Sequence, residues 1–208
     1  MNQKNSIGLN ICFGDTDKPI DLFKVWFEEA KKAEINDPNA VALATSDTNL
    51  VPSVRMVLLK DFNLDGFVFY TNLSSKKSRD LKSNPNASMC FHWKSLQRQI
   101  RIVGKINPVN INDADRYYNS RAYDSRIGAW ASNQSTVLKN RDELYKNIEN
   151  YKRKYPDKNN VPRPPYWSGW NLNPDLIEFW LDGANRIHER LLYEKNNKGD
   201  WQRSLLSP

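Results

Sequence analysis

Between residues 21 and 35, Leu22, Phe23, Trp26, Phe27, Ala30 and Ala33 fall three or four positions apart. That spacing predicts an amphipathic helix with one buried face. Runs rich in β-branched and aromatic residues follow at 40–45, 53–60, 66–71, 87–93 and 97–109, and read as strands. Turn-forming residues separate them: Asp47-Thr48-Asn49, Asp65-Gly66 and Asn84-Pro85-Asn86. A short helix at about 76–82 interrupts the series, with Ser74 or Ser75 as its N-cap. The middle of the chain reads as helix at 112–120, 126–132 and 137–154, and a Pro-rich connector covers 161–165. Strands return at 176–181 and 185–193, joined through Asp182-Gly183-Ala184-Asn185 as a hairpin turn, with an edge strand at 200–206. Residues 1–17 are polar and aperiodic, so the expected organisation is a flexible arm over 1–20 and a single domain over 21–208.

Strands first, helices inserted, then strands again predict a mainly β fold with α: an antiparallel, Greek-key-like barrel with flanking helices. Strict βαβ alternation is absent, which argues against a parallel doubly wound sheet. No GxGxxG or Walker-type glycine loop occurs in the sequence, so neither common nucleotide-binding loop is expected.

Composition narrows the chemistry. Aromatic residues make up 12% of the 208, seven of them Trp, far above what a disordered chain carries. No apolar run approaches the roughly 20 residues that span a bilayer, and the first ten residues lack the basic and apolar regions of a secretory signal. Cys12 and Cys90 stand far apart, which fits reduced thiols in a cytoplasmic protein. The net charge of +7 admits nucleic acid, anionic membrane or phosphorylated ligands as partners. The cations are spread along the chain among Asn, Asp and Glu, so charge alone does not choose. Neither His92 nor His188 belongs to a cluster with metal-ligand spacing, and no serine-hydrolase elbow is present.

Cations placed among apolar residues carry more information. In VRMVLLK at 54–60, Arg55 shares a strand face with Val57 and Leu59, and Lys60 ends the run; a charge so placed needs an anionic partner. Ser74, Ser75, Lys76 and Lys77 stand between a strand and a helix start, a common phosphate cradle as well as a common exposed turn. Tyr117, Arg121 and Ser125 fall at i, i+4 and i+8, drifting about 40° per step if one helix continues through them; a second phosphate would suit this stripe, as would solvent. In NRIHERLLY at 185–193, alternation puts Arg186, His188, Arg190 and Leu192 on one face. Gln99, Gln134 and Ser135 add neutral hydrogen-bonding groups. Many phosphate-compatible cations, aromatic walls and no obvious general base favour a reaction whose hard chemistry is done by a bound cofactor.

Taken together, RMVLLK at 55–60, FVFYTN at 67–72, LQRQIRIVGK at 96–105, YYNSRAYDSRIGAWASNQS at 117–135, IEFWLDGANRIHER at 177–190 and the ending from Trp201 to Pro208 resemble the pyridoxamine 5'-phosphate oxidase family. The resemblance runs from about residue 20 to the C-terminus, and its order and spacing are more specific than any single motif. It implies an FMN-binding split β-barrel that works as a homodimer, with flavin sites at the subunit interface. Carried over by position, Arg55, Lys76, Lys77, Gln134 and Ser135 hold the flavin phosphate and ribityl chain, and Met56 and Lys60 also contact the cofactor. Tyr70, Thr71, Gln99, Trp180 and Arg190 surround the rest of the cofactor. Lys60, Tyr117, Arg121 and Ser125 hold the substrate phosphate, and Arg186 and His188 are the catalytic pair over the pyridine ring. The implied reaction is hydride transfer from the substrate 4'-carbon to flavin, with molecular oxygen as final acceptor, giving pyridoxal 5'-phosphate and hydrogen peroxide.

The sequence departs from the family pattern at several positions. Lys76 stands where Arg is usual, Ser74 replaces a Gly, Arg126 a Gln and Leu205 an Arg; the N-terminal stretch lacks an Arg-Arg-x-Tyr-like segment. The residues also admit two other readings. One keeps the barrel and changes the substrate, to a dihydrophenazine-type precursor. The other is a nucleic-acid-binding module, which leaves the spacing of the polar groups unexplained; neither nucleic acid nor membrane is expected as a partner.

Overall fold

A computed structural model describes residues 13–14 and 16–208. Helix α1 (Pro19–Ala33) buries Leu22, Phe23, Trp26, Phe27 and Ala30, so the helical spacing of these apolar side chains becomes one core-facing stripe. Phe23 is the hub, with ring centroids 4.8, 4.9 and 5.4 Å from Phe62, Phe67 and Phe91. Fully burying each such ring contributes about 1.5–3 kcal/mol. The helix is also held by charge: Arg98 pairs with Glu29 and lies over the Trp26 ring at 4.4 Å.

The strands are β1 (Ala40–Ser46), β2 (Pro52–Leu58), β3 (Asp61–Asn63), β4 (Gly66–Asn72), β5 (Asn86–Trp93), β6 (Arg98–Pro108), β7 (Trp167–Leu181), β8 (Glu189–Lys195) and β9 (Trp201–Leu205). They form one antiparallel sheet in the order β2-β1-β5-β6-β7-β4-β3. One edge of β7 pairs with β6 along most of its length. The other edge pairs first with β4, through Trp167–Leu172, and then with β8, through Leu176–Leu181. That exchange of partners opens the barrel. The expected antiparallel split barrel with flanking helices is thus the fold observed.

Helix α2 (Lys76–Ser83) lies between β4 and β5. Helices α3 (Ile111–Ser120), α4 (Tyr123–Ala131) and α5 (Arg141–Lys154) lie between β6 and β7. Asn110 and Asn140 cap α3 and α5 through their side chains. Ser75 occupies the N-cap position of α2 but makes no side-chain cap bond.

Three expectations are corrected. Strand β7 starts at Trp167, nine residues before 176, because the turn-like composition of 168–175 hides a strand. Gly169 is needed there: a Cβ would lie 2.7 Å from the Tyr70 ring. Pro174 sits where the β6–β7 register shifts, the kind of bulge that tolerates proline inside a sheet. Second, β8 starts at Glu189. Residues 184–186 form a 3-10 turn in which Asn185 and Arg186 have φ of 57° and 65°, so alternation does not govern Arg186 and His188. Third, α3 ends at Ser120 and α4 restarts at Tyr123 with Arg121 extended, so Tyr117, Arg121 and Ser125 do not ride one helix.

Residues 1–12 and 15 lie outside the described residues, and with them most of the expected arm and Cys12. Phe13 is buried and stacks on Trp26 at 5.8 Å, and the Thr16 carbonyl accepts from the Tyr193 hydroxyl at 2.7 Å. Among the described residues, no helix is long and apolar enough to cross a membrane, and no group of His, Cys, Asp or Glu could hold a metal ion.

Candidate active site

A cleft of about 450 Å³ opens where β2, β4 and the α3–α4 junction meet. Met56, Lys60, Tyr70, Thr71, Lys77, Tyr117, Arg121, Ser125 and Gln134 all line it, together with Trp167. Nine expected site residues are therefore brought together, although they come from five separate stretches of chain.

At one end lies a buried polar network. The Arg55 guanidinium donates from Nη1 to Thr45 Oγ1 (2.7 Å) and to the Leu43 carbonyl (3.1 Å), and from Nη2 to Ser53 Oγ (2.6 Å). Lys77, on the first turn of α2, donates to Thr71 Oγ1 at 3.2 Å and Ser75 Oγ at 3.4 Å, and Thr71 donates to Gln134 Oε1 at 3.2 Å. The one carboxylate in this network is Asp80, which receives Lys76 Nζ at 3.0 Å and Thr45 Oγ1 at 2.8 Å and lies 3.9 Å from Arg55. Lys76 and Arg55 thus face a single anion, and Lys77 lies close enough to Arg55 to feel its charge. Burial pushes Arg55 below the ordinary arginine range although Asp80 opposes it. Burial and then the charge of Arg55 push Lys77 below the ordinary lysine range. For Asp80, burial acts upward, but the hydrogen bonds and charges of Lys76, Thr45 and Arg55 together hold the carboxyl below its ordinary value. Such a network has the charge balance to accept a further anion.

The other end is aromatic. Tyr70 and Tyr117 stack at 4.1 Å, and Trp167 lies parallel to Tyr70 at 5.5 Å. Lys60 sits 5.9 Å above the Tyr117 ring and Arg121 4.8 Å from the Trp167 ring. Burial lowers the Arg121 pKa, and its Nη1 is buried without a hydrogen-bond partner. A buried guanidinium N–H without an acceptor is costly, and here it borders a cleft. Ser125 is exposed at the rim, and Ser135 follows Gln134 with φ of 70°.

A second group stands elsewhere on the barrel. Gln99, Trp180 and Arg190 form one row across β6, β7 and β8, since Gln99 pairs with Trp180 and Trp180 with Arg190. The Trp180 and His188 rings are 4.7 Å apart. The Gly183 amide donates to His188 Nδ1 at 3.2 Å, and Asp182 Oδ1 is 3.2 Å from the same nitrogen. Gly183 permits this turn, because a Cβ would lie 1.7 Å from the Ile187 carbonyl oxygen. Arg186 is exposed on the turn. None of Gln99, Trp180, Arg186, His188 or Arg190 lines the cleft. Gly169, which pairs with Tyr70, and Trp180 are separated by about 36 Å of strand at ~3.3 Å per residue.

Thr45, Asp80, Trp167 and Glu178 are site neighbours that the sequence did not single out. Only the Lys76–Asp80 spacing of i, i+4 carried a signal for one of them.

The chain is matched by two family models: "Pyridoxamine 5'-phosphate oxidase" over residues 27–155 and "Pyridoxine 5'-phosphate oxidase C-terminal dimerisation region" over 167–208. It is 69% identical, over all 208 residues and the full length of both chains, to the pyridoxine/pyridoxamine 5'-phosphate oxidase of Pelagibacter ubique strain HTCC1062. It is 51% identical over 206 residues, 98% of this chain and 99% of the other, to that of Bartonella quintana strain Toulouse. Among solved structures, PhzG from Burkholderia lata 383, in complex with tetrahydrophenazine-1-carboxylic acid, superposes with a TM-score of 0.90 at 29% identity and full coverage of both chains. A pyridoxamine 5'-phosphate oxidase-related, FMN binding protein from Nostoc punctiforme PCC 73102 shares the fold, with a TM-score of 0.73 at 16% identity over 93% of this chain and 100% of that one.

Proposed function

This chain belongs to the pyridoxamine 5'-phosphate oxidase family, and from that premise we propose that it uses FMN and molecular oxygen to oxidise pyridoxamine and pyridoxine 5'-phosphates to pyridoxal 5'-phosphate. Hydrogen peroxide is the second product, with ammonia released from the amine substrate. The observation that carries the reading is the convergence of nine expected site residues on one cleft with an unsatisfied Arg121 Nη1 at its wall.

The residues present fit a phosphorylated cofactor and a phosphorylated substrate. Arg55, Lys76 and Lys77 supply more positive charge than Asp80 balances, as the phosphate of FMN requires. Met56, Thr71, Gln134 and Ser135 border that cradle, and Tyr70 offers a flat wall. Bound there, FMN would supply hydride acceptance from the substrate 4'-carbon and delivery of the electrons to oxygen. Everything else is positioning by the chain. Lys60, Tyr117, Arg121 and Ser125 hold the substrate phosphate, and each charge-assisted bond there contributes about 1.5–3 kcal/mol. Trp167 supports Arg121 from below, so the guanidinium presents a fixed edge. Arg186 and His188 would lie over the pyridine ring, with Arg186 orienting the reacting carbon, and Gln99, Trp180 and Arg190 would hold the rest of the flavin.

The reading includes a homodimer. Its support is the match of residues 167–208 to a dimerisation region, the exposed stripe Val54, Met56 and Leu58 on edge strand β2, and the placement of the two residue groups far apart along β7. In a dimer the cleft of one copy is completed by the Trp180–Arg190 group of the other. A cytoplasmic enzyme is part of the same reading, and the free thiol of Cys90 suits a reducing compartment.

The experiment is oxygen uptake by the FMN-loaded protein with pyridoxamine 5'-phosphate, pyridoxine 5'-phosphate, unphosphorylated pyridoxine and a dihydrophenazine carboxylate. Turnover of the two phosphates, with strong loss on removing the phosphate, is expected. Turnover of the phenazine precursor alone would establish the other reading, which the likeness to PhzG motivates.

A further inference from the structure

Glu178 is a buried carboxylate to which the proposed chemistry gives no task. It lies on β7 two residues before Trp180 and is 4% exposed. Its Oε2 accepts from Arg101 Nη1 at 2.8 Å. Its Oε1 accepts from Arg190 Nε at 2.8 Å and lies 2.8 Å from Arg190 Nη2. Arg101 is its direct partner across β6, and Arg190 sits on β8 opposite Trp180. Glu178, Trp180, Gln99 and Arg190 therefore share one face of the sheet.

The two arginines are not equivalent. The Arg101 side chain is 45% exposed and has water available. Arg190 is 26% exposed, and its third contact, from Nη1 to the Ser207 carbonyl at 2.9 Å, also comes from its own chain. Two acceptors at different corners fix both the position and the plane of a rigid fork. A free arginine side chain would lose its rotamer freedom when a ligand bound. Here that freedom is already gone.

We propose that Glu178 is a positioning residue for the cofactor: it locks the Arg190 guanidinium beside the Gln99–Trp180 row, so that the remaining N–H groups of Arg190 meet the flavin already ordered. This rests on the flavin reading above. Ordering a rotamer-rich side chain in advance corresponds to about ten- to thirtyfold in affinity.

The test is titration of apoprotein into FMN, following quenching of flavin fluorescence, for wild type, Glu178→Gln, Arg190→Gln, the double variant and Arg101→Gln, with the melting temperature of each apoprotein. Glu178→Gln keeps the side-chain shape and one oxygen, and is expected to bind FMN about ten- to thirtyfold more weakly. The double variant binds no more weakly than Arg190→Gln alone, because the carboxylate acts through that arginine. Arg101→Gln, which touches the same carboxylate and leaves the Arg190 contact, keeps wild-type affinity. A fall in melting temperature without a change in affinity overturns the role, and so do effects of Glu178→Gln and Arg190→Gln that multiply. If Glu178→Gln fails to fold, Arg101→Gln and Arg190→Gln decide: equal losses of affinity in the two overturn it. A wild-type protein that quenches no flavin fluorescence overturns the flavin reading itself, and this role with it.

Discussion

Lys76 Nζ lies 3.0 Å from one carboxylate oxygen of Asp80 and 3.1 Å from the other, one helical turn along α2. The ammonium is half exposed, whereas the carboxylate is buried. Solvent therefore screens the pair, and most of what Asp80 contributes comes from serving as acceptor for Thr45 and counter-charge for Arg55. Asp80→Asn should destabilise the apoprotein by about 1–3 kcal/mol at pH 7, read from urea unfolding. The folded-state pKa of Asp80 lies below its ordinary value of 3.8, so the unfolded chain takes up this proton first. The contribution is then fully present above that ordinary value and is lost as pH falls through the folded one. The gap between wild type and variant should close in acid; a gap of constant size would contradict the assignment.

Lys77 behaves in the opposite sense. Burial and Arg55 hold its ammonium below the ordinary value of 10.5, so in the apoprotein it gives up its proton earlier than a free lysine on the alkaline side. Binding a phosphate then requires that proton back. FMN affinity should weaken as pH rises towards 10.5, starting below it, and Lys77→Arg should flatten that fall because a guanidinium keeps its charge. Fluorescence titrations from pH 7 upward read both slopes.

Arg121 is the residue at which the proposed substrate and cofactor roles can be told apart. Arg121→Gln removes the guanidinium with the unsatisfied Nη1 but leaves the Arg55–Lys77 cradle intact. The expected result is a rise in KM and a fall in kcat/KM of about 10- to 150-fold, with FMN affinity unchanged. Parallel loss of both would place Arg121 in the cofactor site instead.

Gly183 tests the turn. A methyl group there meets the Ile187 carbonyl oxygen at 1.7 Å, so Gly183→Ala must rebuild the backbone that carries Arg186 and His188. Steady-state kinetics should show a lower kcat, and thermal melts a loss of about 1–3 kcal/mol. Unchanged kcat would show that the turn does not place catalytic groups.

The legible parts of this fold are those where local pattern and burial agree. Helix α1 was readable because Phe23 and Phe27, which pack against Phe62, Phe67 and Phe91, belong to a stripe at helical spacing. The first half of β7 was not. Its Gly169 and Pro174 answer to the Tyr70 ring and to the bulge near Gly104, neither of which is local in sequence. Arg55 and Lys60 stood out as cations in an apolar strand, Lys77 as one at a helix start and Arg121 as one on a phenol–hydroxyl stripe, and the cleft gathers Lys60, Lys77 and Arg121. The Tyr117–Arg121–Ser125 stripe was read for a continuous helix, yet its members converge because the break at Arg121 turns the chain without carrying it away. Thr45, a partner of Arg55, was invisible, since it meets Asp80 across 35 residues; Asp80 showed only through its i, i+4 spacing from Lys76. Arg186 was singled out, but its positive φ belongs to a turn that alternation cannot reveal.

The length of β7 has a genetic consequence. Because the cleft sits near its first residues and the Trp180–Arg190 group near its last, a defect in either place damages a different half of each site in the proposed dimer. Mix a chain carrying Arg121→Gln with one carrying Gly183→Ala, each impaired alone. In every mixed dimer one site inherits both defects and the other inherits neither. Two impaired alleles should therefore complement each other, restoring roughly a quarter of all sites to the wild-type arrangement when equal amounts assemble at random.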